Sequence, residues 1–255
     1  MKIQQIVFSP TGGTKAVSDI ISNEWKMPVE EIDLTDAETD YSSFKIEKDN
    51  IAMISVPSYA GRVPALAAQR ISRLNGNQAK CVIVCVYGNR AYEDTLVELQ
   101  DVAEKAGFRV IAAIAAIAEH SIMHQYATGR PDTEDKEELR RFAREILEKA
   151  GRDAPEDQAL HLPGNRPYKK AGAASLVPKA GKQCVACGIC AKSCPAQAIN
   201  KENPKDTDSK KCISCMRCVA KCPRAARKVN EAMVSAVALA IRKACSVRKA
   251  NELYI

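Results

Sequence analysis

C-V-A-C-G-I-C-A-K-S-C-P at 184–195 and C-I-S-C-M-R-C-V-A-K-C-P at 212–223 repeat one pattern, C-x2-C-x2-C-x3-C-P, 28 residues apart. Three Cys at i, i+3 and i+6 let one short loop wrap three irons of a cuboidal [4Fe–4S] cluster. The fourth thiolate must then approach from elsewhere. Pro195 and Pro223 lack an N–H and hold φ at about −65°, which turns the chain away after the last Cys. Gly188 would let backbone come close to cluster sulfur. Zinc sites also use C-x2-C pairs, but they do not usually run three Cys at this spacing, add x3-C-P, and then do it again.

The repeat resembles the bacterial-type ferredoxin pattern for two [4Fe–4S] clusters. That resemblance implies crossed ligation, with each fourth Cys serving the other copy. Cys184, Cys187, Cys190 and Cys222 would hold one cluster, and Cys212, Cys215, Cys218 and Cys194 the other. Cys81 and Cys85 fall in an apolar, strand-like run and read as core, and Cys245 reads as helix packing. Eleven Cys behind an N-terminus without a long apolar leader imply reduced thiols in a cytoplasmic, anaerobic setting rather than a disulfide framework. No apolar run reaches 18 residues, so no membrane partner is expected.

Charge divides unevenly. Residues 1–160 hold 19 Lys and Arg against 26 Asp and Glu, whereas 161–255 hold 19 against 5. A basic tail can mean nucleic acid, but nothing here resembles a DNA- or RNA-binding motif. Each oxidised cluster with its four thiolates carries formally about −2, so part of the excess would neutralise cofactor. The rest would dock the acidic N-terminal half or an acidic redox partner protein.

Working back from the repeats, Gly151 to Gly181 is rich in Pro and Gly and reads as a linker. Before it, strand and helix patterns alternate. Strands are expected at 2–8, 29–32, 51–56, 80–86 and 109–117, and helices at 15–25, 65–74, 95–106 and 132–150. Such alternation means an α/β fold with a doubly wound parallel sheet. Three unusual loops follow strand C-termini and should converge at the switch point. They are Ser9-Pro10-Thr11-Gly12-Gly13-Thr14, 57–64 and 87–94. The first is a hydroxyl- and glycine-rich turn before a helix, suited to a phosphate; its plainer reading is a turn capped by Thr14.

These 150 residues resemble a flavodoxin, and the whole chain is similar to flavodoxin–ferredoxin fusion proteins of anaerobes. The resemblance implies a five-stranded sheet of order 2-1-3-4-5 over 1–150, a linker at 151–181, a small α+β ferredoxin domain at 182–228, and a C-terminal helix and tail at 229–255. It also implies FMN, with phosphate held by Ser9, Thr11, Gly12, Gly13 and Thr14. The flavin ring would be contacted by Ser58, Tyr59, Gly61, Gly88, Asn89 and Tyr92. Flavodoxins commonly place Asp after the glycine of the third loop, whereas here Asn89-Arg90 stands there. A guanidinium at the ring would favour the anionic reduced flavin. His120 and His124 follow the fifth strand, and His120 is the candidate catalytic residue.

Flavin passes one or two electrons and each cluster passes one. Electron transfer between two [4Fe–4S] clusters and FMN is therefore the expected function, in an oxidoreductase acting on a small-molecule substrate. The alternatives are a pure carrier between partner proteins and a redox or oxygen sensor.

Overall fold

The computed structural model describes residues 1–151, 160–172 and 176–255. Parts of the expected linker, 152–159 and 173–175, lie outside them. The N-terminal unit runs β1 (Ile3–Val7), α1 (Gly13–Glu24), β2 (Val29–Asp33), β3 (Ile51–Pro57), α2 (Ala65–Ile71), β4 (Lys80–Tyr87), α3 (Thr95–Lys105), β5 (Arg109–Ile117) and α4 (Thr133–Gly151). Then come β6 (Lys179–Ala180), α5 (Ile189–Lys192), α6 (Arg217–Ala220), β7 (Arg227–Lys228), α7 (Glu231–Cys245) and β8 (Glu252–Tyr254).

β3 and β4 are continuous apolar runs because both faces of the sheet are covered. On one face they meet α2 and α3 through Ile54, Ile83, Ile71 and Leu99. On the other they meet α1 and α4 through Met53, Val82, Ile21 and Ile146. Cys81 and Cys85 are fully buried in the first of these layers, where burial drives both thiols far above their usual range. Trp25 closes the second layer, its indole N–H donating to the Ala143 carbonyl at 2.7 Å.

Sheet order is β2-β1-β3-β4-β5-β8. The first five strands are parallel and follow the flavodoxin-like order. The sixth corrects the five-strand expectation. Leu253 pairs antiparallel with Ile114, and the tail covers what would be an open edge. A three-residue strand carries too little periodicity to be read without its partner.

That tail belongs to a longer clasp. α7 packs Val234, Val237, Ala238 and Ile241 against Met123, Tyr126 and Leu176. Beyond it, the Asn251 carboxamide accepts from the Ile117 amide at 2.9 Å and donates to Glu138 at 2.7 Å and Asp135 at 3.0 Å. The linker is bound as well. Asp94 accepts from the amides of Asn165 (2.9 Å) and Lys169 (2.7 Å), and Arg62 lies over the Tyr168 ring. Residues 160–172 thus lie along α3 instead of hanging free.

In the second unit β6 pairs antiparallel with β7, Lys179 opposite Lys228 and Ala180 opposite Arg227. The two cysteine repeats share one backbone. Left-handed φ values recur at Ala186 and Ser214 (53° and 52°), Gly188 and Met216 (76° and 61°), and Gln197 and Ala225 (48° and 46°). Met216 takes the conformation that Gly188 takes, and a Cβ added at Gly188 would meet nothing within 4 Å. The glycine suits this left-handed turn, where its φ is +76°.

Candidate functional site

The eight repeat cysteines surround two small apolar cavities. One is lined by Cys194, Cys212, Cys215 and Cys218, the other by Cys184, Cys187, Cys190 and Cys222. In each, three thiols come from one repeat and the fourth from the other. The fourth sulfurs sit alike: Cys194 accepts from the Ala198 amide at 3.3 Å, and Cys222 from the Ala226 amide at 3.2 Å. Among the described residues no three His, Cys, Asp or Glu side chains gather closely enough to hold a lone metal ion. The donor set suits a multinuclear sulfide cluster.

Two further observations fit such a group. Ser193 Oγ, Ser214 Oγ, Arg217 Nε and Arg227 Nε are buried without a hydrogen-bond partner. All four belong to the repeats or flank them, where cluster sulfides would accept their protons. Left bare, each would cost about 1–3 kcal/mol. Arg227 is almost fully buried and donates to the Pro178 carbonyl (3.2 Å), Thr207 Oγ1 (2.8 Å) and the Pro204 carbonyl. A buried guanidinium held only by neutral acceptors is expected beside a negative cofactor.

The second unit leans on the first at this place. Arg70 donates to the Pro195 carbonyl at 2.6 Å, Arg217 to the Ser9 carbonyl at 3.4 Å, and Lys201 pairs with Glu38 at 3.0 Å. Between the units lies a cavity of about 510 Å³. Its floor is Thr11, Gly13 and Thr14 after β1, Ser58 and Tyr59 after β3, and Gly88 after β4. Its far wall is Lys210, Lys211, Cys212, Ile213 and Ser214, and His120 closes one side.

The first loop is shaped for an anion. Gly12 caps α1 at φ +97°, a value that favours glycine. Thr14 lies inside the helix and is not its cap. Ser9 Oγ instead accepts from the Lys15 amide at 2.9 Å. The Gly13 and Thr14 amides, first in the helix, have no intrahelical acceptor. In the second loop, Tyr59 and Arg62 exchange backbone hydrogen bonds at 3.0 and 3.1 Å around Ala60 and Gly61, both at positive φ. This tight turn presents Tyr59 to the cavity. Burial, and then the nearby Cys215 sulfur, push the Tyr59 phenol well above its usual range. Ser58 Oγ is engaged by Thr95 Oγ1 at 2.8 Å.

Several expected ring contacts are corrected. Asn89 is buried and turned to the clasp, donating to the Cys245 and Val247 carbonyls at 2.9 Å each and accepting from the Lys249 amide at 3.1 Å. Arg90 pairs with Glu93 at 2.8 Å, and its carbonyl takes the Lys249 ammonium. The Tyr92 hydroxyl meets Glu252 at 2.7 Å and Tyr254 at 2.9 Å, while its ring packs edge-on against Tyr87. Gly61 is packed beneath the Glu93 side chain. None of the four lines the cavity: the tail has claimed the loop of Asn89, Arg90 and Tyr92, and Glu93 covers Gly61. The cations that do line it are Arg62, Lys210 and Lys211. The two lysines went unnoticed in sequence because nothing local marks the end of a polar loop as facing another domain.

His120 does line the cavity, stacked on Gly88 so closely that a Cβ there would lie 2.7 Å from its own. Its Nδ1 accepts from the Ile122 and Met123 amides at 3.2 Å each, so the neutral ring carries its proton on Nε2. His124 turns away to Glu119 at 2.7 Å. Burial first, then the His124 and Arg90 charges, lower the His120 pKa. His120 is thus a neutral donor at neutral pH. Its contribution to stability is complete above about pH 6.5 and is lost as pH falls from there to the folded-state value. An NMR titration is expected to place its midpoint below 6.5; a midpoint at or above that value would contradict the geometry.

Residues 183–227 match the family model described as a 4Fe-4S dicluster domain. The chain joins a domain with the flavodoxin-like strand order to a 4Fe-4S dicluster domain. No curated protein matches it. Among solved structures the flavodoxin-like domain is similar to a flavodoxin of Streptococcus pneumonia TIGR4 (21% identity, 58% of this chain and 99% of that one, TM-score 0.43). It is also similar to a short-chain flavodoxin associated with a bacterial microcompartment (18%, 59% and 100%, 0.43) and to the two-electron reduced Megasphaera elsdenii flavodoxin (17%, 56% and 98%, 0.39). The fold assignment itself rests on strand order and register. No helix among the described residues is long and apolar enough to cross a membrane.

Proposed function

We propose that the chain relays electrons between two [4Fe–4S] clusters and an FMN, coupling one-electron to two-electron chemistry. One observation carries this reading. Cys212, a thiol of the proximal dicluster set, lines the same cavity as the β1–α1 loop, Tyr59 and Gly88. When bound, FMN would supply a two-electron store that also passes single electrons. Thr11, Gly13 and Thr14 would hold its phosphate, and Tyr59, Gly88 and His120 would bound its ring. Lys210 and Lys211 would give the ring end a positive field, the role the sequence assigned to Arg90, whereas Arg62 is paired with Glu98 at 2.7 Å in the same lining. The 210–214 segment, with Ala171, Gly172 and Leu176, would limit water.

Cys187, in the other set, is exposed, which supports that cluster as the port for an external redox protein. Exposed Lys182, Arg224 and Lys228 nearby in sequence favour an acidic one. The roof over the cavity supports a carrier; His120 Nε2, free to donate into it, supports a small-molecule oxidoreductase. Anaerobically purified protein is expected to hold about eight iron, about eight sulfide and one FMN per chain. A colourless, zinc-loaded protein would overturn the reading.

A further inference from the structure

The β1–α1 loop is open on two sides. Beyond the cavity already described lies a second, of about 320 Å³, lined by Ser9, Pro10, Thr11 and Gly12 of the loop. Lys15, Glu31 and Asp33 line it from the same domain, and Arg217, Ala220 and Lys221 from the dicluster domain. Pro10 and Thr11 line both cavities, so an anion seated on this loop is reached from both.

Arg217 and Lys221 are four residues apart across the short α6, on one side of it. Arg217 already touches the loop, donating to the Ser9 carbonyl at 3.4 Å. The two carboxylates in the lining are answered: Glu31 by Lys15 at 2.9 Å, Asp33 by Arg217 at 3.7 Å. Lys221 is exposed at the rim.

We propose that Arg217 and Lys221 close the phosphate end of the FMN site. The phosphomonoester dianion is then held jointly by amides of one domain and cations of the other. This rests on the FMN reading and extends it, because loop amides alone supply only neutral donors, whereas a guanidinium supplies charge-assisted bonds about twice as strong. It also makes cofactor retention and domain docking reciprocal: each strengthens the other.

The test is an anaerobic fluorescence titration of full-length, flavin-stripped protein with FMN and, separately, with riboflavin, which lacks the phosphate. Arg217→Gln is expected to raise the FMN Kd about ten- to a hundredfold and to leave the riboflavin Kd unchanged. Lys221→Gln should do the same more weakly, and Arg217→Lys should recover most of the loss. An unchanged FMN Kd in Arg217→Gln overturns the proposal. So does an equal loss of both ligands, the signature of a damaged pocket. If wild-type protein binds neither flavin, the FMN reading falls and takes this proposal with it.

Discussion

Cys215→Ala protein, purified anaerobically, is expected to carry about four iron atoms per chain instead of about eight, and to lose rapid charge exchange between its remaining cluster and the flavin. Cys187→Ala is expected to lose the same amount of iron but to keep a flavin that its remaining cluster can reach. The two cysteines occupy equivalent places in their repeats yet differ in surroundings. Cys215 is buried in the set whose Cys212 also lines the cavity against the flavodoxin-like domain. Cys187 is exposed and lines the other thiol cavity. Iron analysis gives the first readout. The second is flavin absorbance on anaerobic mixing with dithionite, a small reductant that needs no docking port and charges whichever cluster remains. Equal bleaching rates in the two variants would place the flavin elsewhere than beside the Cys212 segment.

Asp135→Ala is expected to destabilise the flavodoxin-like domain by about 3–5 kcal/mol. Asp135 and Arg130 are 1% and 5% exposed and meet through Nε at 2.7 Å and through Nη2. Asp135 also accepts from the Asp132 amide at 3.0 Å and from Asn251 at 3.0 Å, while Arg130 donates to the Lys249 carbonyl at 2.8 Å. Deleting the carboxylate strands a buried guanidinium and releases the clasp at once. Urea unfolding followed by Trp25 is the natural measurement, since this single tryptophan is bonded to α4, the helix that bears Asp135. A loss below about 1 kcal/mol would mean that water reaches Arg130 readily.

Local chemistry made much of this molecule legible. Cluster spacing is a property of a dozen residues, and the central strands β3 and β4 announce themselves because runs buried on both faces must be apolar throughout. The Gly12 turn is likewise local, since its backbone conformation favours that residue. Where the chain returns on itself, local pattern had no purchase. Asn89, Arg90 and Tyr92 sit in a loop expected to touch a flavin, yet their partners are Cys245, Val247, Lys249, Glu252 and Tyr254, more than 150 residues away.

Lys210 and Lys211 are exposed, and only the docking of the second domain against the first puts them at the wall of a cavity. An amino-acid sequence records what each segment prefers by itself. Which polar side chains spend their hydrogen bonds on the tail, and which are left to face a cavity, was decided only when distant segments competed for the same donors and acceptors.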